Sequence, residues 1–198
     1  MPSKYKRKSR IREPFRKIVI AMEGNDTEPK YFRALRSKKH SAQLELKILE
    51  RKKNDTRSAP RHVFSQILEY TKTIDYDKDD ECWIVIDKDN WPEKQLREVA
   101  AGCKNCGYGM AISNPCFEIW LICHYGIPGK ADTSKTVKKR WRKIRSEKGS
   151  PAFPDILENI DTAIKNARKL DTEPSTRWPN NQATRVYLLI EEINRTIP

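Results

Sequence analysis

Two short stretches of the chain are apolar almost without interruption: K-I-V-I-A-M at 17–22 and C-W-I-V-I at 82–86. Such runs predict strands covered on both faces, as in a parallel sheet. L-E-L-K-I-L at 44–49 alternates apolar and polar, which predicts an outer strand. A further short strand is predicted over 108–112. Between the strands the period becomes helical. After the turn-like E-G-N-D-T-E-P, Thr27 suits an N-cap and Glu28 and Pro29 the first turn, while Tyr31, Phe32 and Leu35 form an apolar face. Val63, Ile67, Tyr70 and Ile74 place a second helix over 60–74, and a third is predicted over 92–101. Ser113-Asn114-Pro115 predicts the start of an apolar helix through 116–124, with Pro115 at its first position. Residues 133–147 read as a basic helix, and 154–170 and 181–197 as two more. Residues 52–59 and 75–81 read as loops, the first polar and the second acidic.

Strands alternating with helices imply right-handed βαβ units and a mostly parallel sheet flanked by helices. The expected class is therefore α/β with a C-terminal helical elaboration. The expected organisation is a flexible basic arm over 1–16 and a single domain over 17–198, with a helical insertion near 125–153.

Composition narrows the class further. Of 198 residues, 37% are apolar and 34% charged, a polar balance that still leaves enough aromatic and branched residues for a core. No uninterrupted apolar stretch approaches the roughly 18 residues of a membrane helix. The basic start leads into no apolar segment of the kind a secretory signal needs. Five cysteines at irregular spacing do not suggest a disulfide framework. The expectation is a cytoplasmic protein with reduced thiols and no membrane association.

The net charge of +13 is concentrated in two segments. Residues 1–17 hold eight Lys/Arg and one acid, and residues 130–148 hold nine and two. The rest of the chain is close to neutral. Either segment alone could be a solvated tail or helix face. Together they favour a polyanionic partner, of which nucleic acid is the commonest in the cytosol. On the second segment, Lys138, Arg142 and Arg145 lie at helical i, i+4, i+7 spacing, with Lys139 at the edge of that face.

Active sites of open α/β sheets lie at the carboxyl ends of the strands, and acids stand at these ends here. Glu23 follows the first apolar run, and Asp87 and Asp89 follow the third strand in D-K-D. Two residues apart on a strand, two side chains project to one face about 7 Å from each other. Crowded carboxylates call for a hard cation with oxygen ligands, Mg²⁺ or Mn²⁺. Gly24 lets the backbone turn sharply after Glu23.

The blocks M-E-G-N-D-T-E-P-K-Y-F, W-I-V-I-D-K-D-N and A-I-S-N-P-C-F-E-I-W-L-I-C-H resemble those of the RloB-like family, in family order. N-N-Q-A-T-R-V-Y-L-L-I is similar to its final block, although that block usually reads N-P-S-T. The family is related to the Toprim superfamily of topoisomerases, primases and OLD-type nucleases. The resemblance implies a Toprim-like fold, a divalent metal, and a role in prokaryotic antiviral defence beside an RloA-like or ABC-type ATPase. Within it, Glu23 matches the Toprim glutamate, Asp87 and Asp89 match the D-x-D, and Glu28 stands where related nucleases place a second acid.

Other residues leave alternatives open. Glu118, on an otherwise apolar helix, is a ligand for a second metal or the partner of a nearby Lys or Arg. Asn114 caps that helix or orients substrate, and capping is the simpler reading. His124 suits partial burial near a helix end better than general-acid work. Cys103-x-x-Cys106 supplies only two of the four ligands of a zinc site. Trp91 and Trp178 could stack on bases, with packing the default. The reading that results is a Mg²⁺- or Mn²⁺-dependent nuclease with Glu23, Asp87, Asp89 and Glu118 at its centre. Lys88, Lys138, Lys139, Arg142 and Arg145 would contact nucleic acid. The alternative is a non-catalytic adaptor or sensor that binds nucleic acid or its ATPase.

Overall fold

The computed structural model describes residues 16–39, 41, 43–50, 59–74, 79–88, 91–131 and 133–195. Asp89, the 52–58 part of the first loop and all of the basic arm except Arg16 lie outside the described residues. In chain order the elements are β1 (Arg16–Met22), α1 (Thr27–Lys39), β2 (Leu44–Leu49), α2 (Pro60–Thr71), β3 (Glu81–Asp87), α3 (Glu93–Cys106) and β4 (Gly109–Asn114). There follow α4 (Glu118–Cys123), α5 (Ser134–Glu147), α6 (Phe153–Ile156), α7 (Ile160–Leu170), β5 (Ala183–Thr184) and α8 (Val186–Arg195).

The five strands form one sheet in the order β2-β1-β3-β4-β5. All neighbours are parallel except β4 and β5. The continuous apolar runs of β1 and β3 are explained by their central positions. Ile18, Ile20 and Met22 face one helical layer, and Val19 and Ala21 face the other. The first layer is built from α1 and α4–α8, the second from α2 and α3. The alternating 44–49 segment is the edge strand expected of it.

This topology creates a crevice. The chain leaves β1 toward α1 on one face and leaves β3 toward α3 on the other. The carboxyl ends of β1 and β3 therefore flank the switch point where open α/β sheets bind ligands. Arg16 belongs to β1 rather than to the arm, and it ion-pairs with Glu81 and, at 2.6 Å, with Glu192 of α8. The 125–153 segment joins the main core through Val137 and Trp141 of α5, which pack in the α4 layer.

Three expectations are corrected. Pro115 does not open the apolar helix: β4 continues through Asn114, which pairs with Ala183, so α4 begins only at Glu118. The 154–170 helix is interrupted by a 3₁₀ turn at Leu157–Asn159, where Lys38 Nζ takes the Leu157 carbonyl at 3.3 Å. The 181–197 helix starts only at Val186, because 183–184 form β5, whose residues are committed to β4.

Candidate active site

Glu23 immediately follows β1, and its backbone N–H donates to the Val85 carbonyl at 3.0 Å, so the strand ends in register with β3. Its carboxylate is held from two directions. Oε2 accepts from the Asp87 amide and Oε1 from the Trp91 indole, each at 3.1 Å. Trp91 is thus a positioning residue for Glu23. Periodicity could not show this, because the bond crosses from the β3–α3 loop to the end of β1.

Glu28, in the first turn of α1, is 8% exposed. Its carboxylate lies over Gly24, where a built Cβ would stand 1.9 Å from Glu28 Oε2. A side chain at position 24 would therefore have to push the Glu28 carboxylate aside. Glu118 enters from the first turn of α4, and Lys138 from α5. Glu23, Glu28, Asp87, Glu118 and Lys138 line one cavity of about 260 Å³. Glu118 shares this cavity with both the strand-end acid and a lysine, so both of its alternatives, metal ligand and lysine partner, fit its place.

The electrostatics follow from that crowding. Asp87 is held well above the usual carboxylate range, first by desolvation and then by the charges of Glu28, Glu23 and Glu118, against which Lys138 acts. Burial acts to lower the Lys138 pKa, but the nearby carboxylates, Glu118 first, outweigh it, so the ammonium is stabilised. The Cys116 thiol is pushed up by burial and by the same acids, so it is no thiolate ligand or nucleophile.

Five carboxylates line this cavity, Asp26, which pairs with Lys30 at 2.6 Å, beside the other four, and carboxylate oxygens are the donor type of a hard divalent cation. Among the described residues, no three acids, histidines or cysteines are placed so that they could together hold a metal ion.

Most other candidates lie apart from these acids. Lys88 donates from Nζ to the Pro179 carbonyl at 3.3 Å. Lys139, Arg142 and Arg145 are exposed on α5, whereas Lys138 is drawn into the acidic cavity. Asn114 caps no helix: its Nδ2 donates to the carbonyls of Pro179, Asn180 and Asn181 at 3.1, 2.9 and 3.0 Å. His124 is buried between the Trp120 carbonyl and the Tyr31 hydroxyl, at 3.0 and 3.3 Å. Its pKa is lowered to about 4 by burial, so it is a neutral core residue. Cys103 is buried and Cys106 exposed, and Trp178 packs in the core with α2 and α3. None of the described helices is long and apolar enough to cross a membrane.

No curated protein and no solved structure matches the chain. A family model described as RloB-like protein matches residues 18–193, nearly the whole chain and all three blocks that carry the acids. With the acids at the strand ends where those blocks place them, the chain belongs to the RloB-like family.

Proposed function

We propose that the protein is a Mg²⁺- or Mn²⁺-dependent nuclease with a Toprim-like core, acting on nucleic acid in the cytoplasm as part of a prokaryotic antiviral defence pair with an RloA-like or ABC-type ATPase. The observation that carries this reading is the meeting of Glu23, Glu28, Asp87 and Glu118 in one cavity at the switch point of the sheet. Family membership and the order of the acids, glutamate after β1 and then aspartates after β3, support the Toprim-like assignment.

Glu23, Glu28 and Asp87 would hold the cation together with Asp89, and Glu118 would hold a second one or orient water. A divalent ion so held supplies Lewis acidity at a phosphoryl oxygen and a water of lowered pKa. The chain's own residues do the remaining work. The Asp87 amide and the Trp91 indole fix the direction of the Glu23 carboxylate. Lys138 presents an ammonium at the rim of the acids, where a bridging phosphate oxygen would find it. Lys139, Arg142 and Arg145 extend that positive charge along the exposed face of α5.

Lys138 also favours a second reading, in which its ammonium takes the cation's place and the chain is an adaptor. Manganese titration followed by electron paramagnetic resonance separates the two. The enzyme binds Mn²⁺ and loses that binding in Asp87→Ala, whereas the adaptor binds none. The activity test incubates labelled tRNA, single-stranded DNA and duplex DNA with Mn²⁺, with and without the neighbouring ATPase. Cleavage that stops with chelator is expected, and its absence in every combination overturns the enzyme. For the interface, reversing Lys139, Arg142 and Arg145 is expected to flatten the salt dependence of binding by about two units, at roughly 0.7–0.9 per phosphate contact. Equal slopes would show that this face is merely solvated.

A further inference from the structure

A second, larger cavity of about 640 Å³ opens at the same end of the sheet, at β4 and β5. It is not part of the acidic site. Its described lining holds no carboxylate, one ammonium, Lys130, and the side chains of Asn114, Asn181, Gln182 and Thr172. Pro115, Pro128 and Leu170 supply apolar walls.

The frame of this cavity is built from hydrogen bonds that tie loops distant in sequence. Asn114 holds the carbonyls of 179–181, as described above. Gln182 accepts the Ala131 amide at 2.6 Å and donates to the Gly129 carbonyl at 3.1 Å. Arg140 closes the same loop from outside through the carbonyls of Gly129 and Lys130. Arg185, buried against Asp171 at 2.8 and 3.1 Å, holds the carbonyl of Glu173 at 2.7 Å and so fixes the far wall. Three walls are thus preorganised. By contrast, Asn181 and Thr172 are exposed and make no side-chain hydrogen bond among the described residues.

A rigid pocket with apolar faces, free amide and hydroxyl groups and a single cation suits a flat, neutral, hydrogen-bonding ligand attached to an anion. A nucleobase on its phosphate is that ligand. The two cavities are adjacent along the sheet. Asp87 pairs with Ser113, one residue before Asn114, and Lys88 joins them, donating from Nζ to Pro179 while its backbone N–H donates to Ser113 at 2.8 Å.

We infer that the cavity between β4, Lys130 and the 180–182 loop receives an unstacked nucleobase of the strand whose phosphate lies at the acidic cavity. Amides that can address base edges are the usual means of reading an extruded or single-stranded base. The inference rests on the nuclease reading, but its test needs no cleavage.

The experiment measures binding in EDTA by fluorescence anisotropy, using single-stranded 12-mers. The four homopolymers are compared with a 12-mer of the same charge in which every base is replaced by an abasic spacer. Wild type is expected to bind at least one base-bearing strand roughly tenfold tighter, the worth of one or two net hydrogen bonds. Thr172→Trp, an exposed position whose larger side chain fills the cavity, is expected to bring that strand to the abasic level. Asn181→Ala is expected to give part of the loss, with an unchanged melting temperature in both variants. Competition by the free nucleoside monophosphate distinguishes the sources of the base. Weak competition assigns it to the strand, and competition at equal affinity assigns it to a small nucleotide and overturns the strand assignment. Equal affinity for base-bearing and abasic strands, or a preference that survives Thr172→Trp, overturns the pocket while leaving the nuclease reading intact. Failure to bind any strand overturns the pocket and leaves the nuclease reading to the cleavage assay.

Discussion

The two cavities at the carboxyl end of the sheet are built on opposite plans. Around Glu23, Glu28, Asp87 and Glu118, like charges crowd together and, with burial, disfavour the ionised form of Asp87. Around Asn114 and Gln182, amide donors are matched with carbonyls on two separate loops, at 179–181 and at Gly129. One region crowds acids that a cation would relieve, and in the other the walls are hydrogen-bonded while Asn181 and Thr172 keep polar groups for a ligand. The proposed site is therefore marked as a place where the fold opposes its own stability, and its neighbour as one where the fold satisfies most of its own polar groups.

The largest effect expected from this contrast is on chemistry. Asp87→Ala should lower metal-dependent cleavage roughly 1,000-fold, the several kcal/mol that a correctly held cation contributes. Asp89→Ala should do the same. Circular dichroism should show both folded, and wild-type rates in either variant would remove that acid from the site.

The amide region should behave in the reverse way. Asn114→Ala strips the donors from three carbonyls and should cost about 2–3 kcal/mol. For a chain of this size that corresponds to a melting temperature lower by roughly 5–10 °C. An unchanged melting temperature would mean that the 179–181 loop holds itself.

Gly24→Ala tests the crowding directly. Its Cβ would stand 1.9 Å from Glu28 Oε2, so the carboxylate must move. A loss of about 1–3 kcal/mol is expected, as for other overpacked positions, together with weaker Mn²⁺ binding. Unaltered stability and Mn²⁺ affinity would place Glu28 outside the site.

The smallest effect has the most informative sign. Asp87 titrates above its ordinary range, so the folded state loses stability as pH rises through that raised value. Asn cannot ionise. Asp87→Asn should therefore raise the metal-free melting temperature by a few degrees at pH 8, and the difference should vanish below the ordinary carboxylate range. Adding Mn²⁺ should stabilise wild type and leave the variant unmoved. A variant less stable than wild type at pH 8 without metal would reveal a structural ion pair instead.

How much of this could be read before the fold was known depended on the range of the forces involved. β1 and β3 declare themselves because central parallel strands are apolar on both faces, and each is followed at once by its acid. The edge strand declares itself by alternation. The positions of Glu23 and Asp87 follow from these runs alone. By contrast, β5 has two residues, too few to carry a period, and it exists because β4 recruits it. The same pairing keeps Asn114 in a strand and delays α4. The break before α7 depends on Lys38, more than a hundred residues earlier. Trp91 and Lys138 were visible as residue types, but their direction toward Glu23 and toward the acids is set by loops and helices that meet only in the tertiary fold. The extent of the acidic cavity was therefore only half legible, and the amide cavity not at all.

The Asn114 clamp also bears on how the molecule is made. Its acceptors lie 65 to 67 residues further along the chain. On the ribosome, all four parallel strands and the strand-end acids emerge well before Pro179, and Glu192, the partner of Arg16 in the first strand, comes later still. The nascent chain thus carries its reactive carboxylates for a long stretch of translation without the closing loop beside them. For the nuclease proposed above, this order of synthesis means that the loop closing this end of the sheet is translated only after all of the strand-end acids.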